Sequence, residues 1–147
     1  MITVLLVDDH ASLRKSLRYL LEASHDIKVV AEASNGNDAL FHVNAGCPEI
    51  ALIDISMPLM DGLETARQIH LQCQFTRVIM LSIHDNPEYV QRSLSVGALG
   101  YVLKDMIAVD LLEAIRAVNQ GKHYFSQKIA EIADKFLPGK GNDSWAV

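Results

Sequence analysis

The sequence predicts an α/β protein, a doubly wound, five-stranded parallel β-sheet with helices on both faces. Short, unbroken runs of Val, Ile and Leu recur along the chain, and such runs are typical of strands covered on both sides. Segments with the apolar spacing of an amphipathic helix alternate with these runs. A β-then-α alternation of this kind predicts parallel strands joined by right-handed crossovers.

Five apolar runs are predicted as strands, at residues 2–7, 27–31, 50–53, 78–81 and 99–103. Helical segments follow them at residues 13–21, 38–45, 63–70, 87–96 and 111–118. Among doubly wound sheets, the strand order 2-1-3-4-5 suits five strands. In this order strands 1 and 3 are neighbours, and ligand sites form at the carboxyl ends of strands where the order reverses. The chemistry is therefore expected where strands 1 and 3 end.

Length and composition limit the classes of protein that the chain can represent. Its 147 residues correspond to one domain, and 50% hydrophobic with 21% charged residues exclude a disordered chain. The net charge of −5 and the lack of a basic run disfavour direct nucleic-acid binding. No apolar segment reaches the roughly 20 residues of a membrane span, and no signal peptide opens the chain. We expect a cytoplasmic protein without a membrane segment, in which Cys47 and Cys73 are reduced.

Acidic residues follow two of the predicted strands. Asp8 and Asp9 end the first strand, and Asp54 ends the third. If these strands are neighbours, the carboxylates converge, and two charges about 4 Å apart repel by roughly 4 kcal/mol at an effective dielectric constant near 20. A proton or a cation must offset this repulsion, and oxygen ligands without His or Cys indicate Mg²⁺. The alternative is that Asp8 and Asp9 only cap the following helix.

Two further strand ends carry groups that suit an anion. Ser82 ends strand 4 and offers a hydroxyl donor, and Lys104 ends strand 5 and offers a compact positive charge. An Asp carboxylate held beside them can attack phosphorus and form an acyl phosphate. His84, two residues after Ser82, either limits the access of water to this site or is an exposed loop histidine. The other histidines show no metal-binding spacing and remain unassigned.

These motifs resemble the receiver domain of bacterial two-component response regulators. The resemblance covers roughly residues 1–121 and rests on four segments, VLLVDDH, IALIDISMPLMDG, VIMLSIHD and GALGYVLKD. It implies the flavodoxin-like receiver fold and a signalling switch that catalyses only its own phosphorylation and dephosphorylation. We expect residues 1–121 to form the receiver domain, and residues 122–147 to form a linker helix and a flexible tail.

The resemblance also implies which residues bind the phosphoryl group and the metal. Asp54 is the expected acceptor of a phosphoryl group from a sensor histidine kinase. Asp8, Asp9, Asp54 and the backbone carbonyl of Ser56 are the expected ligands of Mg²⁺. Lys104 takes the position of the lysine that is typical of this family.

A second pair of residues is implied to transmit the signal. Ser82 takes the family's Thr/Ser position and is expected to bond the phosphoryl group. Tyr101 takes the position of the switch aromatic, which turns inward when the hydroxyl residue moves. The surface of helix 4, strand 5 and helix 5 is expected to change as a result. A homodimer is expected on phosphorylation, through this face or through a face of helices 1 and 5.

The segments LSIHD and GYVLKD are most similar to those of the NarL/FixJ-type, or LuxR-like, transcription regulators. In these proteins a linker leads to a helix-turn-helix domain. Ser126 is expected to cap a linker helix, and residues 138–144 to form a flexible tail. The apolar stripe of that helix is predicted at Ile129, Ile132, Ala133 and Phe136. DNA binding is expected only through an output domain missing from this chain. The alternative is a stand-alone receiver that acts by protein–protein contact.

Two other functions share parts of this pattern. A flavodoxin-like FMN protein needs a phosphate-cradling loop after strand 1, and the acidic pair Asp8 and Asp9 would repel a phosphate there. An aspartyl phosphatase of the haloacid dehalogenase superfamily has two Asp residues two positions apart after strand 1. Here the two residues are adjacent and the third carboxylate is on strand 3. The sequence therefore favours a receiver over both.

Overall fold

The computed structural model describes residues 1–137 and contains one six-stranded sheet. Its strands are β1 (Ile2–Val7), β2 (Ile27–Ala33), β3 (Ile50–Asp54), β4 (Arg77–Ser82), β5 (Gly100–Leu103) and β6 (Tyr124–Phe125). The strand order is β2-β1-β3-β4-β5-β6, and every neighbouring pair is parallel. The predicted order of the first five strands is confirmed, and β6 is an additional edge strand that was not predicted.

The helices are α1 (Ala11–Glu22), α2 (Gly36–Ala45), α3 (Gly62–Gln72), α4 (Pro87–Ser95), α5 (Ile107–Asn119) and α6 (Gln127–Asp134). Local sequence explains where several of them begin. Asn35 and Asp61 cap α2 and α3 by accepting the backbone N–H groups of Asp38 and Glu64. Pro87 begins α4, where its fixed φ and missing N–H cost nothing. No helix within residues 1–137 is long and apolar enough to cross a membrane.

The sheet separates two apolar layers, because successive strand residues point to opposite faces. Leu5 and Val7 of β1 belong to the layer that includes α2, α3, α4 and α6. Val4 and Leu6 belong to the layer that includes α1 and α5. All four side chains are buried. Since both faces of the strand are covered at residues 4–7, its sequence there is an unbroken apolar run, as predicted.

The segment after α5 extends the sheet, because Tyr124 and Phe125 pair with β5. Ser126 occupies the N-cap position of α6, as predicted, but its side chain makes no cap hydrogen bond. Its hydroxyl instead donates to Asp110 on α5 at 2.8 Å and accepts the backbone N–H of Leu103 at 3.0 Å. The carboxylate of Asp110 is buried and therefore needs hydrogen-bond donors. The Ser126 hydroxyl donates to it and so does not bond the backbone N–H groups at the start of α6.

The apolar stripe predicted for α6 is partly confirmed. Ile129 and Ala133 are buried in the layer that includes α4, and Ile132 packs against the border of that layer. Phe136 lies beyond the end of the helix at Asp134. The flexible tail predicted at residues 138–144 lies outside the described residues.

Cys47 and Cys73 form a disulfide, with Cα atoms 5.7 Å apart, so the prediction of reduced cysteines is wrong. Cys47 lies in the loop between α2 and β3, and Cys73 directly follows α3. The two residues are separated by 26 positions in the sequence. They meet because α2 packs against α3. Neither composition nor the number of cysteines reveals this packing.

Gly62, the first residue of α3, packs closely against the end of β3. Its N–H donates to the carbonyl of Ile55 at 2.8 Å, and a Cβ atom here would overlap the backbone carbonyl of Asp54. We expect Gly62→Ala to lower the free energy of unfolding by about 1–3 kcal/mol, because the backbone that carries Asp54 must shift. Urea denaturation followed by circular dichroism measures this loss.

Gly46→Ala is the matched control for this prediction. Nothing lies within 4 Å of a Cβ atom placed at Gly46, and its φ of 173° is extended backbone that any residue adopts. We expect this control to unfold at nearly the same urea concentration as the unmodified chain. Equal stability of Gly62→Ala and the unmodified chain would contradict the close packing at the end of β3.

Candidate functional site

The carboxyl ends of β1 and β3 place acidic side chains together. The two strands are paired neighbours, so Asp8 and Asp54 lie side by side. Possible ligand atoms of Asp8, Asp9, His10 and Asp54 all lie within 4.8 Å of one another. Asp8 is only 1% and Asp54 only 2% exposed, so their charges are poorly screened by water. The structure thus brings together the three carboxylates that the strand order places at one edge of the sheet.

Lys104, directly after β5, reaches across this cluster. Its Nζ lies 3.0 Å from Asp8 Oδ2 and 3.2 Å from Asp54 Oδ2. Burial alone would lower the pKa of Lys104, but the hydrogen bond to Asp8 and the charge of Asp54 outweigh that effect and raise it. Lys104 is therefore a fixed positive charge that partly neutralises the two most buried carboxylates.

The two carboxylate oxygens of Asp54 have different surroundings. Oδ1 accepts the backbone N–H of Ser56 at 3.1 Å, whereas Oδ2 faces Lys104. Burial, and after it the negative charge of Asp8, raises the pKa of Asp54 against the opposing effect of Lys104. A desolvated carboxylate of this kind gains from any further positive charge placed beside it.

Two buried oxygens of the cluster, Asp9 Oδ1 and Asp54 Oδ2, have no hydrogen-bond donor among residues 1–137. Asp9 Oδ1 lies 3.2 Å from His10 Nδ1 and Asp54 Oδ2 lies 3.2 Å from Lys104 Nζ, but neither contact meets the criteria of a hydrogen bond. Buried polar atoms without a partner are rare and often mark the place of an ion or a water. Carboxylate oxygens are the ligands that hard divalent cations prefer. The residues present therefore fit a divalent metal ion at this edge of the sheet.

The structure excludes the alternative in which Asp8 and Asp9 serve only as helix caps. His10, not an Asp, holds the cap position of α1, and no side chain makes a cap hydrogen bond there. Asp8 Oδ1 accepts the His10 N–H at 2.8 Å and lies 3.0 Å from His10 Nδ1. His10 is thus a site residue that the sequence analysis left unassigned. Its contacts depend on the turn after β1, which no spacing pattern reports.

Ser82 and His84 line the site at the carboxyl end of β4. Ser82 is buried, and its Oγ accepts the backbone N–H of His84 at 2.9 Å. The His84 ring stacks on Tyr89 with centroids 4.6 Å apart, and its Nε2 lies 3.3 Å from Ser56 Oγ. The loop after β3 is thereby joined to the loop after β4, two residues from Asp54. His84 is half-buried, so its description as an exposed loop histidine is wrong.

Tyr101 on β5 lies inward, with its side chain only 1% exposed in the layer that includes α4. Its hydroxyl donates to the backbone carbonyl of His84 at 2.7 Å. Burial raises the pKa of Tyr101 to about 12, so this hydroxyl keeps its proton at neutral pH. Ser82 and Tyr101 are therefore connected through the backbone of a single residue, His84.

Comparison with known proteins identifies the class that this fold and site define. The sequence profile of the response regulator receiver domain matches residues 4–116, which is most of the 147-residue chain. The chain therefore belongs to the response regulator receiver domain family. Receiver domains of response regulators are signalling domains.

Individual relatives place the chain more closely, as a receiver domain of NarL/LuxR type. It is 38% identical over 131 residues to the response regulator UvrY of Escherichia coli K12, which covers 89% of this chain. It is 36% identical over 130 residues, or 88% of this chain, to the nitrate/nitrite response regulator protein NarL of the same organism. The transcriptional regulatory protein DegU of Brevibacillus brevis is 36% identical over 128 residues, or 87% of this chain. The chain spans 54–60% of the length of these relatives.

Solved structures agree with this assignment. A two-component response regulator of the LuxR family from Aurantimonas sp. superposes with a TM-score of 0.85 at 29% identity, over 90% of this chain and 95% of that one. The response regulator domain of Thermotoga maritima CheB superposes with a TM-score of 0.76 at 30% identity, over 82% and 97%. The predicted flavodoxin-like receiver fold is therefore confirmed.

Asp54→Asn removes a buried charge that the neighbouring Asp8 carboxylate opposes. Because the pKa of Asp54 is raised on folding, its ionised form destabilises the folded chain at neutral pH, and a neutral amide does not. We expect Asp54→Asn to raise the free energy of unfolding in the presence of EDTA. Urea denaturation at neutral pH measures the change.

The control for this prediction is Asp38→Asn, the same chemical change at a more exposed position on α2. We expect it to change stability by less than about 0.5 kcal/mol. A lower stability of Asp54→Asn than of the unmodified chain would contradict the repulsion between Asp8 and Asp54.

Proposed function

We propose that this chain is the receiver of a two-component phosphorelay, in which Asp54 accepts a phosphoryl group from a sensor histidine kinase with the help of Mg²⁺. The observation that carries this proposal is the contact of Lys104 with both Asp8 and Asp54. This arrangement places the Asp54 carboxylate, the nucleophile, between the positive charge of Lys104 and the oxygen ligands of Asp8 and Asp9. A nucleophile, a cation site and a fixed positive charge are what phosphoryl transfer requires.

In the proposed transfer, an Asp54 oxygen attacks phosphorus while the bond from phosphorus to the kinase's histidine nitrogen breaks. The product is an acyl phosphate. Asp8, Asp9, Asp54 and the backbone carbonyl of Ser56 would hold Mg²⁺, which supplies positive charge to the transferring group. Lys104 stabilises the negative charge on the phosphoryl oxygens, and the Ser56 N–H holds the acceptor carboxylate in place.

The chain catalyses only its own phosphorylation and dephosphorylation under this proposal. Hydrolysis of the acyl phosphate requires water to reach phosphorus beside Asp54. The contact between His84 and Ser56 spans the two loops that flank this position and restricts that approach. The stacking of His84 on Tyr89 holds the ring there.

Phosphorylation adds close to two negative charges and three acceptor oxygens. The Ser82 hydroxyl and Lys104 can then make charge-assisted hydrogen bonds to the phosphoryl group. A shift of Ser82 reaches Tyr101 through His84, since one contacts its N–H and the other its carbonyl. The inward Tyr101 is the orientation that we expect the phosphorylated form to hold, with a changed surface of α4, β5 and α5 as the result.

The partners follow from the same proposal. We infer a homodimer on phosphorylation, through the face of α4, β5 and α5 or through a face of α1 and α5. We infer that residues 1–121 form the receiver domain proper and that β6 and α6 pack onto it. Because the chain spans 54–60% of the length of its relatives, we also infer that the full-length protein carries a DNA-binding output domain. Regulation of transcription in the cytoplasm is then the function of the full-length protein.

Intact-mass spectrometry with acetyl phosphate and Mg²⁺ tests the acceptor. We expect the unmodified chain to gain the mass of one phosphoryl group, and Asp54→Asn to gain none, because an amide is not a nucleophile toward phosphorus. Asp61→Asn is the matched control on the same loop, since Asn caps a helix as well as Asp does. Equal labelling of Asp54→Asn and the unmodified chain would place the acceptor elsewhere.

Titration calorimetry with Mg²⁺ tests the metal ligands separately. We expect Asp9→Asn to weaken Mg²⁺ binding by about tenfold or more, because a charged oxygen ligand is replaced by a neutral one. Asp61→Asn should bind Mg²⁺ as the unmodified chain does. An unchanged affinity of Asp9→Asn would remove Asp9 from the ligand set.

A further inference from the structure

The disulfide of Cys47 and Cys73 has one exposed and one buried end. Cys47 is exposed in the loop between α2 and β3, whereas Cys73 is only 4% exposed at the end of α3. In thiol–disulfide exchange a thiolate attacks one of the two sulfurs, and access helps to decide which one. We propose that this pair is a reversible thiol-exchange site. Cys47 reacts with low-molecular-weight thiols and disulfides, and Cys73 is the resolving cysteine.

Other contacts hold the two cysteines close to each other independently of their bond. The buried Thr76 donates its hydroxyl to the carbonyl of Pro48 at 2.6 Å. This hydrogen bond ties the residue after Cys47 to the loop after Cys73. The Cys73 N–H donates to the Ile69 carbonyl at 2.7 Å and so continues the helix. The backbone therefore keeps the Cα atoms at a separation that a disulfide bridges, and the reduced pair can close again.

The exchange balances in two steps with a thiol such as glutathione as the reductant. A first glutathione thiolate attacks the Cys47 sulfur, a mixed disulfide forms there, and Cys73 leaves as a thiolate that takes a proton. A second glutathione thiolate attacks the sulfur of the bound glutathione, which leaves Cys47 as a thiolate. Two thiols are oxidised to one disulfide, and the protein disulfide is reduced to two thiols. Oxidation by glutathione disulfide is the same sequence in reverse.

This site lies away from the acidic cluster, because Cys47 precedes β3 and Asp54 ends it. Exchange at Cys47 therefore involves neither the carboxylates nor Lys104. Its structural effect is on the attachment of the α2–β3 loop to α3. The proposal does not rest on phosphorylation, so its failure would leave the phospho-acceptor role of Asp54 untouched.

Single-cysteine variants test which sulfur reacts. Each variant is incubated with glutathione disulfide and examined by intact-mass spectrometry, with circular dichroism as a check on folding. We expect Cys73→Ser, which retains the exposed Cys47, to gain one glutathione. We expect Cys47→Ser, which retains the buried Cys73, to gain none while folded. An adduct that forms as fast on Cys73 as on Cys47 would overturn the assignment.

The unmodified chain tests reversibility and covers the case in which a variant does not fold. It is equilibrated in buffers of increasing ratio of reduced to oxidised glutathione, quenched with acid and alkylated. We expect two alkylated cysteines at the reducing end, none at the oxidising end, and full return between them. A pair that never closes, or never reopens, would overturn the proposal. Peptide mapping of the trapped mixed disulfide decides the order, since glutathione on Cys47 supports it and glutathione on Cys73 contradicts it.

Discussion

The ammonium group of Lys104 is the interaction on which the site depends. A fold that buries Asp8 and Asp54 side by side must offset their repulsion, because two like charges in a poorly hydrated site are costly without a positive charge beside them. Lys104 provides the offset from β5, with its Nζ within 3.2 Å of both carboxylates. The parallel sheet makes this possible, because every strand delivers its carboxyl end to the same edge. One oxygen of Asp9 and one of Asp54 still make no hydrogen bond within the described residues, and a divalent cation would satisfy them.

The strand that supplies Lys104 also connects the site with the rest of the molecule. β5 carries Tyr101 and is paired on its outer side with β6. The N–H of Leu103 donates to the hydroxyl of Ser126, which in turn donates to the buried Asp110 of α5. A change in charge at the acidic cluster therefore acts on β5, and β5 is paired with β6, the strand that precedes α6. Under the proposed function, this continuity is the physical route from phosphorylation to an output domain.

Much of the fold was predictable from local sequence, because apolar runs and helical spacing are properties of short segments. Strands buried on both faces are almost wholly apolar, so the central strands β1, β3, β4 and β5 followed from the pattern, whereas the edge strand β2 has both buried and exposed residues. The strand order followed from the arrangement typical of doubly wound sheets. The acidic cluster was predictable for a related reason. Once strands 1 and 3 are neighbours, Asp8, Asp9 and Asp54 have to meet, and Lys104 and Ser82 end strands at the same edge. The sequence alone therefore determined that these carboxylates, Lys104 and Ser82 lie at one edge of the sheet.

The tertiary structure decided the features that depend on distances between remote atoms. β6 has two residues, too few to show a period, and it forms only because β5 offers an unpaired edge. The Ser126 hydroxyl bonds Asp110 rather than its own helix, which requires the position of α5 to be known. His10 joins the acidic cluster through the path of a turn. Cys47 and Cys73 meet through the packing of α2 on α3. Hydrogen bonds and disulfides form only between atoms a few ångströms apart. The number of residues between two positions in the sequence does not give their distance in space.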